Sequence, residues 1–278
     1  MEKTVKNFII HIALILLGFI LVYPILWMFL GSFKTNEELL GSIALLPQQF
    51  SFDAFVYGWQ GVGRQTFTTF FLNSLRLTLP TVAFTVISSL VVAYGFARFD
   101  FIFKKPLFAI MLSTLMLPNA VIIIPRYMLY AQLGWIDTYF PFIIPALFAT
   151  NPFFIFMMVQ FFRGLPRTLD ESARIDGCSA IGILFRILIP LSKPAVISIA
   201  LFQLIWTWND FFNSLIFIHS VRNFTLPLAL RMVFDNEAAV NWNQVMAMSF
   251  VTILPLIVIF FLAQKYFVEG IATVGLKG

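Results

Sequence analysis

The sequence predicts an all-α, polytopic membrane protein with six transmembrane helices, and three observations carry that prediction. Of 278 residues, 60% are hydrophobic and only 11% charged, with a mean hydropathy of +0.91. A soluble domain carries about 25% charged residues, so the polar coat is missing and the solvent for much of the surface is lipid. Five runs, 8–33, 77–97, 106–125, 138–162 and 238–264, contain no Asp, Glu, Lys or Arg, and a sixth, 194–221, contains only Asp210. Each meets the length of about 20 residues that a helix needs to cross a bilayer core. The apolar stretches are continuous rather than alternating, which excludes a barrel and leaves helices, since lipid cannot satisfy free backbone groups.

In chain order, helices are expected at about 8–33, 73–97, 106–127, 138–162, 194–218 and 241–265, within a single transmembrane domain, 1–278. The first run is too long for a cleaved leader and has no small-x-small site behind Trp27, so it reads as a retained helix. A loop, 34–72, follows; Pro47, Gly58, Gly61 and Gly63 make it too broken to span. A short basic turn, 98–105, joins helices two and three, and a turn near Gly134 and Asp137 joins three and four. The longest connection, 165–192, separates helices four and five; the chain ends in a short tail, 268–278. Pro118, Pro125, Pro145, Pro152 and Pro255 fall inside the spans, where neighbouring groups can re-satisfy freed carbonyls and kinks result. Irregular packing explains any one of them; together they suit a bundle that bends between states.

Orientation follows the cations. With the N-terminus cytoplasmic, the inner segments hold Lys3, Lys6, Arg98, Lys104, Lys105, Arg163, Arg167, Arg174, Arg186, Lys193, Lys265 and Lys277, which is 12 of the 18 basic residues. Both termini are therefore expected inside, loop 34–72 outside, and the pI near 9.4 reflects topology rather than affinity for nucleic acid. The single cysteine, Cys178, excludes an intrachain disulfide. With two histidines and no His-Glu-x-x-His pattern, a zinc site is not expected.

The connection 165–192 specifies a helix of its own. Thr168 and Glu171 have capping-box spacing, so Thr168 is expected to start it. Asp170 and Glu171 fall in its first turn, where acids suit the dipole; Asp170 and Arg174, four apart, can pair. Gly177 stands where a left-handed cap ends it. Glu171 and Gly177 could be plain helix punctuation. Yet a connection between antiparallel spans needs only about two to eight residues, and this excursion asks for a docking partner.

Asp210 is the one acid well inside a span. An intramembrane carboxylate is costly and faces a bundle interior or water. Trp206, Trp208, Asn209, Phe211, Phe212 and Asn213 surround it. Positions 206, 209, 210 and 213 share one helical face, a polar stripe suited to hydroxyls beside rings suited to the apolar faces of sugars. The competing reading is an interhelical hydrogen-bond cluster with an aromatic belt.

Glu171-Ser172-Ala173, three residues to Gly177, then Ile187-Leu188-Ile189-Pro190, resembles the "EAA" cytoplasmic loop of ABC-importer permeases, with Asp176 and Phe185 also matching. Ser172 stands for the usual central Ala and Ile189 for the Leu before the proline. Trp206-Thr207-Trp208-Asn209-Asp210-Phe211-Phe212 and Phe71-Leu72-Asn73-Ser74-Leu75 are similar to segments of carbohydrate permeases, and the end, 270–278, resembles the finish of the maltose-type small permease. The resemblance implies a type I ABC importer permease fold in a bacterial cell membrane and the import of a sugar, specifically an oligosaccharide. Leu169, Asp170, Glu171, Ser172, Ala173, Arg174, Asp176 and Gly177 would form the coupling helix that sits on an ATPase dimer. It further implies a homologous second permease and an extracytoplasmic solute-binding protein, with ATP and Mg bound by the ATPase and no cofactor on this chain. The chain has no Gly-Lys dipeptide, which excludes a Walker A loop, so it is expected to be a non-catalytic subunit. The alternative is a stand-alone secondary transporter or channel, which would show several intramembrane ionisable groups or paired broken helices. An intramembrane enzyme would need a His/Cys/Glu cluster or a Gly-x-Ser-x-Gly motif, and neither is present.

Overall fold

A computed structural model describes residues 2–61, 64–235 and 240–275, with side chains from 6 to 265 apart from 62–63 and 234–239. The described residues form helices and connecting turns. Four helices are long and apolar enough to cross a membrane, and two bent helix pairs bring the number of candidate spans to six. The backbone divides into two compact units, Met1–Phe71 with Leu228–Pro255, and Leu72–Pro227 with Leu256–Gly278.

The first unit contains α1 (Glu2–Gly31), α2 (Asn36–Gly41), α3 (Asp53–Gln60), most of α14 (Leu226–Asp235) and the first half of α15 (Trp242–Gly275). The lower two thirds of α1 present Phe8, Ile15 and Ile20 outward, as a lipid-facing helix should. Its last turns pack on α15 through Phe29 and Phe250, 4.7 Å between ring centroids. Gly31 lies at this junction, where a Cβ would meet only the flexible ends of Met246, 2.6 Å from its Sδ, and Leu39, 3.1 Å from its Cδ1. Loop 34–72 contains two short helices, α2 and α3. Asn36 holds α2 to the start of α15, its Oδ1 accepting from the Trp242 N–H at 2.8 Å.

The second unit is built on α4 (Phe67–Arg98), against which α8 (Pro152–Gly164) and α12 (Lys193–Trp208) pack. Leu90, Ala93, Tyr94 and Ala97 of α4 share one buried cluster with Phe154, Ile155, Met158, Val159 and Phe162 of α8 and with Ala195 and Ile199 of α12. Spacings of three and four place each set on one helix face.

Three spans expected as continuous helices are broken. The third is α5 (Lys104–Ser113), a tight turn at Thr114–Met116, and α6 (Asn119–Gln132), with a bend of 102°. Pro118 supplies no N–H and holds Leu117 extended at φ −78°, ψ 119°, which ends a helix. The fourth, Phe140–Gly164, still runs as one span, but its helix is interrupted between α7 (Phe140–Leu147) and α8, with Ala149 at φ +55° in the break and Pro152 opening α8. The fifth is α12 followed by α13 (Phe211–Phe217), interrupted at Asn209 and Asp210. Pro24, Pro80, Pro125 and Pro255 stay inside their helices.

Candidate functional site

Two sites emerge, both inside the second unit. The first is the helical excursion between α8 and α12. Helix α9 (Thr168–Ile175) has the expected length and start, but the capping box does not form. Arg167, behind Pro166, already has helical φ −69° and ψ −23°, so Thr168 lies inside the first turn and its side chain makes no cap. The expected pair of Asp170 with Arg174 is also replaced. Asp170 points inward, and Arg98 Nε at the end of α4 lies 3.1 Å from its Oδ2, with the two side chains 4% and 9% exposed. A buried anion needs a partner in the interior, and Arg174, on the exposed face, cannot serve there. Arg98 Nη2 also donates to the Leu165 carbonyl at 3.1 Å, and the Tyr94 hydroxyl donates to Ala180 O at 3.0 Å.

The C-terminus of α9 matches expectation. Gly177 has φ +77°; its N–H donates to Arg174 O at 3.0 Å, and the Cys178 N–H donates to Ala173 O at 2.8 Å. These two bonds are the Schellman pair. Ala173 and Asp170 are buried, Leu169 is half-buried, and Glu171, Ser172, Arg174, Asp176 and Gly177 are exposed, with Ile175 87% exposed beside them. After the turn, the Ser179 hydroxyl caps α10 (Ala180–Ile183), a wide helical turn follows at Leu184–Leu188, and α11 (Ile189–Leu191) bends by 81° into α12. Ile183, Leu184 and Leu188 join the same cluster as α4 and α8. Helix α9 is thus held on its inner face and free on its charged outer face.

The second site is a cavity of about 790 Å³ lined from α4 (Thr81, Thr85), α6 (Ile122, Arg126, Tyr130), α7, the 150–151 break (Thr150, Asn151), α12 (Gln203, Trp206, Thr207) and the start of α13. Asn209, Asp210 and Asn213 all face it. Asp210 lies at the break rather than within a continuous helix, where its carboxylate caps α13 by accepting from the Asn213 N–H at 3.0 Å. The face shared by 206, 209, 210 and 213 survives because the cap folds Asp210 back over the first turn of α13. Trp208 departs from the expectation: it is 3% exposed and turned into the protein, since positions two apart on a helix face away from each other. Trp206 packs against Phe154, 5.0 Å between centroids. Along the wall, Asn151 Nδ2 donates to Gln203 Oε1 at 3.4 Å and Gln203 Nε2 to Thr207 Oγ1 at 2.7 Å.

Sequence reasoning missed Arg126, which it counted only among the six basic residues outside the inner segments. Arg126 Nη2 donates to Asn213 Oδ1 at 2.7 Å and to Asn119 Oδ1 at 3.0 Å, and its guanidinium lies 5.6 Å from the centre of the Phe217 ring. It also missed Asp137 in the turn before α7, at φ +63°. There the carboxylate accepts from the Ser220 hydroxyl, the Ser220 N–H at 2.8 Å and the His219 N–H at 3.0 Å. Burial pushes its pKa up, but the bonds from Ser220, His219 and Asn223 outweigh that and bring it down to about 2. The 270–278 motif lies outside the residues whose side chains are described.

A set of helical candidate spans with a tethered two-turn helix between α8 and α12 is the architecture of a polytopic membrane protein. Residues 89–273 match the family described as the binding-protein-dependent transport system inner membrane component. The chain is 36% identical to the arabinooligosaccharides transport system permease protein AraQ of Bacillus subtilis, across 100% of this chain and 98% of that one. It is 31% identical to the trehalose/maltose transport system permease protein MalG of Thermococcus litoralis, across 100% and 99%. Its fold matches a chain of a bacterial ABC transporter involved in the import of the acidic polysaccharide alginate, with a TM-score of 0.84, 23% identity, and 96% and 98% of the two chains covered. The chain belongs to the binding-protein-dependent inner membrane permeases: it is a membrane subunit of an ABC importer.

Proposed function

We propose that this chain is one half of the membrane pathway of a sugar importer, taking an oligosaccharide into the cell. It would work with a homologous permease, an extracytoplasmic solute-binding protein and an ATPase dimer that binds ATP and Mg. Both termini, α9 and the 98–105 turn would face the cytoplasm, and loop 34–72 the outside, in keeping with the distribution of cations.

One observation carries the coupling role. Helix α9 is joined to α4 by a buried ion pair while its outer face, Glu171, Ser172, Arg174, Ile175 and Asp176, is exposed. A helix so arranged can take a push from a docked ATPase and pass it to α4 as a rigid body. Similarity to the sugar permeases, across nearly the whole of each chain, supports the substrate class. So does the cavity, where hydroxyl, amide and carboxylate groups stand beside Trp206 and Phe217. Its size lies within the range of about 300–1,000 Å³ that encloses a small-molecule ligand.

The test is co-purification followed by transport. The chain should recover an ATPase and a second permease, and Ile175→Asp, which reverses the character of the outer face without touching the ion pair, should release the ATPase while leaving the permease pair intact. Retention of the ATPase with normal oligosaccharide uptake in that variant would sink the docking role of α9.

A further inference from the structure

The cavity places a cation and an anion in one wall with a single amide between them. Asn213 accepts from Arg126 through Oδ1 at 2.7 Å, and it donates through Nδ2 to both oxygens of Asp210, at 2.8 and 3.1 Å. The Asn213 backbone N–H adds a further bond to Asp210. Each group is oriented by the next: an amide can serve a guanidinium and a carboxylate at once only if its oxygen faces the first and its nitrogen the second. On its far side, Arg126 is held by Asn119 and by the Phe217 ring, while its buried Nε has no hydrogen-bond partner. The remaining polar wall, Thr81, Thr85, Gln203 and Thr207, is uncharged.

We infer that Arg126, Asn213 and Asp210 form a charge-compensated relay that makes this cavity electrically neutral, so that it passes uncharged polyhydroxyl solutes and disfavours acidic saccharides. The inference rests on the cavity being part of the pathway. Arg126 and Asp210 are its selectivity residues. An isolated arginine would draw uronates and an isolated aspartate would draw cations, whereas the bridged pair leaves hydrogen bonding as the means of recognition.

The test reads the cavity potential directly. Thr150→Cys places a thiol in the cavity wall of the full chain in membrane vesicles, and the chain without it gives the background from Cys178. The rates of a cationic and an anionic methanethiosulfonate are compared with those for a free thiol. With the relay intact, the normalised ratio should be near one. Arg126→Gln should favour the cationic reagent by about tenfold and Asp210→Asn the anionic one by about as much, the size expected for one unscreened charge near the thiol. The double variant should return to parity, and Arg126→Lys, which keeps the charge, should stay there. A strong bias in the starting protein, or single variants within twofold of it, would overturn the relay. Selectivity is then read in the assembled transporter as uptake of a neutral pentose trisaccharide against trigalacturonate. Equal or faster uptake of trigalacturonate would overturn the inference. If the ratios shift as expected but thiol modification leaves trisaccharide uptake unchanged, the pathway reading fails and the relay is a structural feature of the bundle.

Discussion

Arg98→Met separates a docked α9 from a loose one. The substitution keeps a long apolar stem but removes the guanidinium that lies 3.1 Å from Asp170 Oδ2, leaving a carboxylate whose side chain is 9% exposed without its counter-ion. Desolvation offsets much of the attraction within a buried pair, but removing one partner strands the other and costs about 3–5 kcal/mol. Loss of the donation to Leu165 O adds about 1 kcal/mol. The penalty should fall on α9 first, because Asp170 and Ala173 are the two buried residues of that helix and the bundle core retains its own contacts. Hydrogen exchange of the 168–177 amides in nanodiscs reads this: Arg98→Met should raise their exchange by at least 100-fold, about 2.7 kcal/mol of lost protection, with α4 and α8 unaffected. In the double variant Arg98→Met/Asp170→Leu, apolar groups replace the pair, a change that is often near neutral, so most of the protection should return. Wild-type exchange in the single variant, or a double variant as exposed as the single, would refute the reasoning that the ion pair anchors α9.

Three further outcomes follow from local geometry. Gly177→Ala should lower the stability of the α9 turn by about 1 kcal/mol, entirely through its φ of +77°, since a Cβ there meets nothing within 4 Å; Gly177→Asn should cost less, and hydrogen exchange of α9 distinguishes the two. Gly31→Ala should be nearly silent, because the flexible Met246 can swing aside, whereas Gly31→Leu should overpack the junction of α1 and α15 by about 1–3 kcal/mol, seen as a lower melting temperature in detergent. The Asp137 clamp should fail in acid: its folded pKa of about 2 is below the ordinary 3.8, so its contribution is complete above about pH 4 and disappears as pH falls through 2. Allowing for solvent screening of this partly exposed carboxylate, that contribution is about 1 kcal/mol, and Asp137→Asn should flatten the acid limb of a melting-temperature profile.

Much of the fold was legible because lipid imposes length and purity on each span. Helix α4 contains the expected 73–97, α1 and α15 match 8–33 and 241–265 to within two residues at one end, and of the local bonds expected around the Thr168–Ile175 helix the Gly177 turn forms while the capping box does not. What was hidden is tertiary. Asp170 and Arg174 at spacing four look like a pair until α4 brings Arg98 to the buried face, 72 positions away in the chain. Arg126 looks like a flanking cation because the bend at Pro118 that turns α6 away from α5 is invisible in a hydropathy run. Trp208 and Trp206 are equivalent in composition and opposite in direction, a distinction set by where α12 meets α8.

The breaks in the fourth and fifth spans and the cavity explain one another. An interrupted helix frees backbone groups that hydrocarbon cannot satisfy, so irregular backbone at membrane depth is stable only where it is buried or lines water. The two interruptions, at 148–151 and at 209–210, both border the same cavity. At the first, the Pro145 carbonyl accepts from the Phe148 N–H at 3.0 Å and also from the Thr150 hydroxyl at 2.9 Å; at the second, Ile205 O accepts from the Asn209 N–H at 3.2 Å and from its Nδ2 at 2.9 Å, and Asp210 caps α13 by accepting from the Asn213 N–H. Asp210 therefore acts twice, capping the broken helix on one side and presenting its carboxylate to the cavity on the other, while Thr150 and Asn209 brace the same breaks with second bonds and also line the cavity. A straight fifth helix would require neither Asn209 nor Asp210. The break adds Asn209 and the Asp210 carboxylate to a wall that Gln203 and Thr207 of α12 already make polar, which is why the carboxylate and the break occur at the same residue.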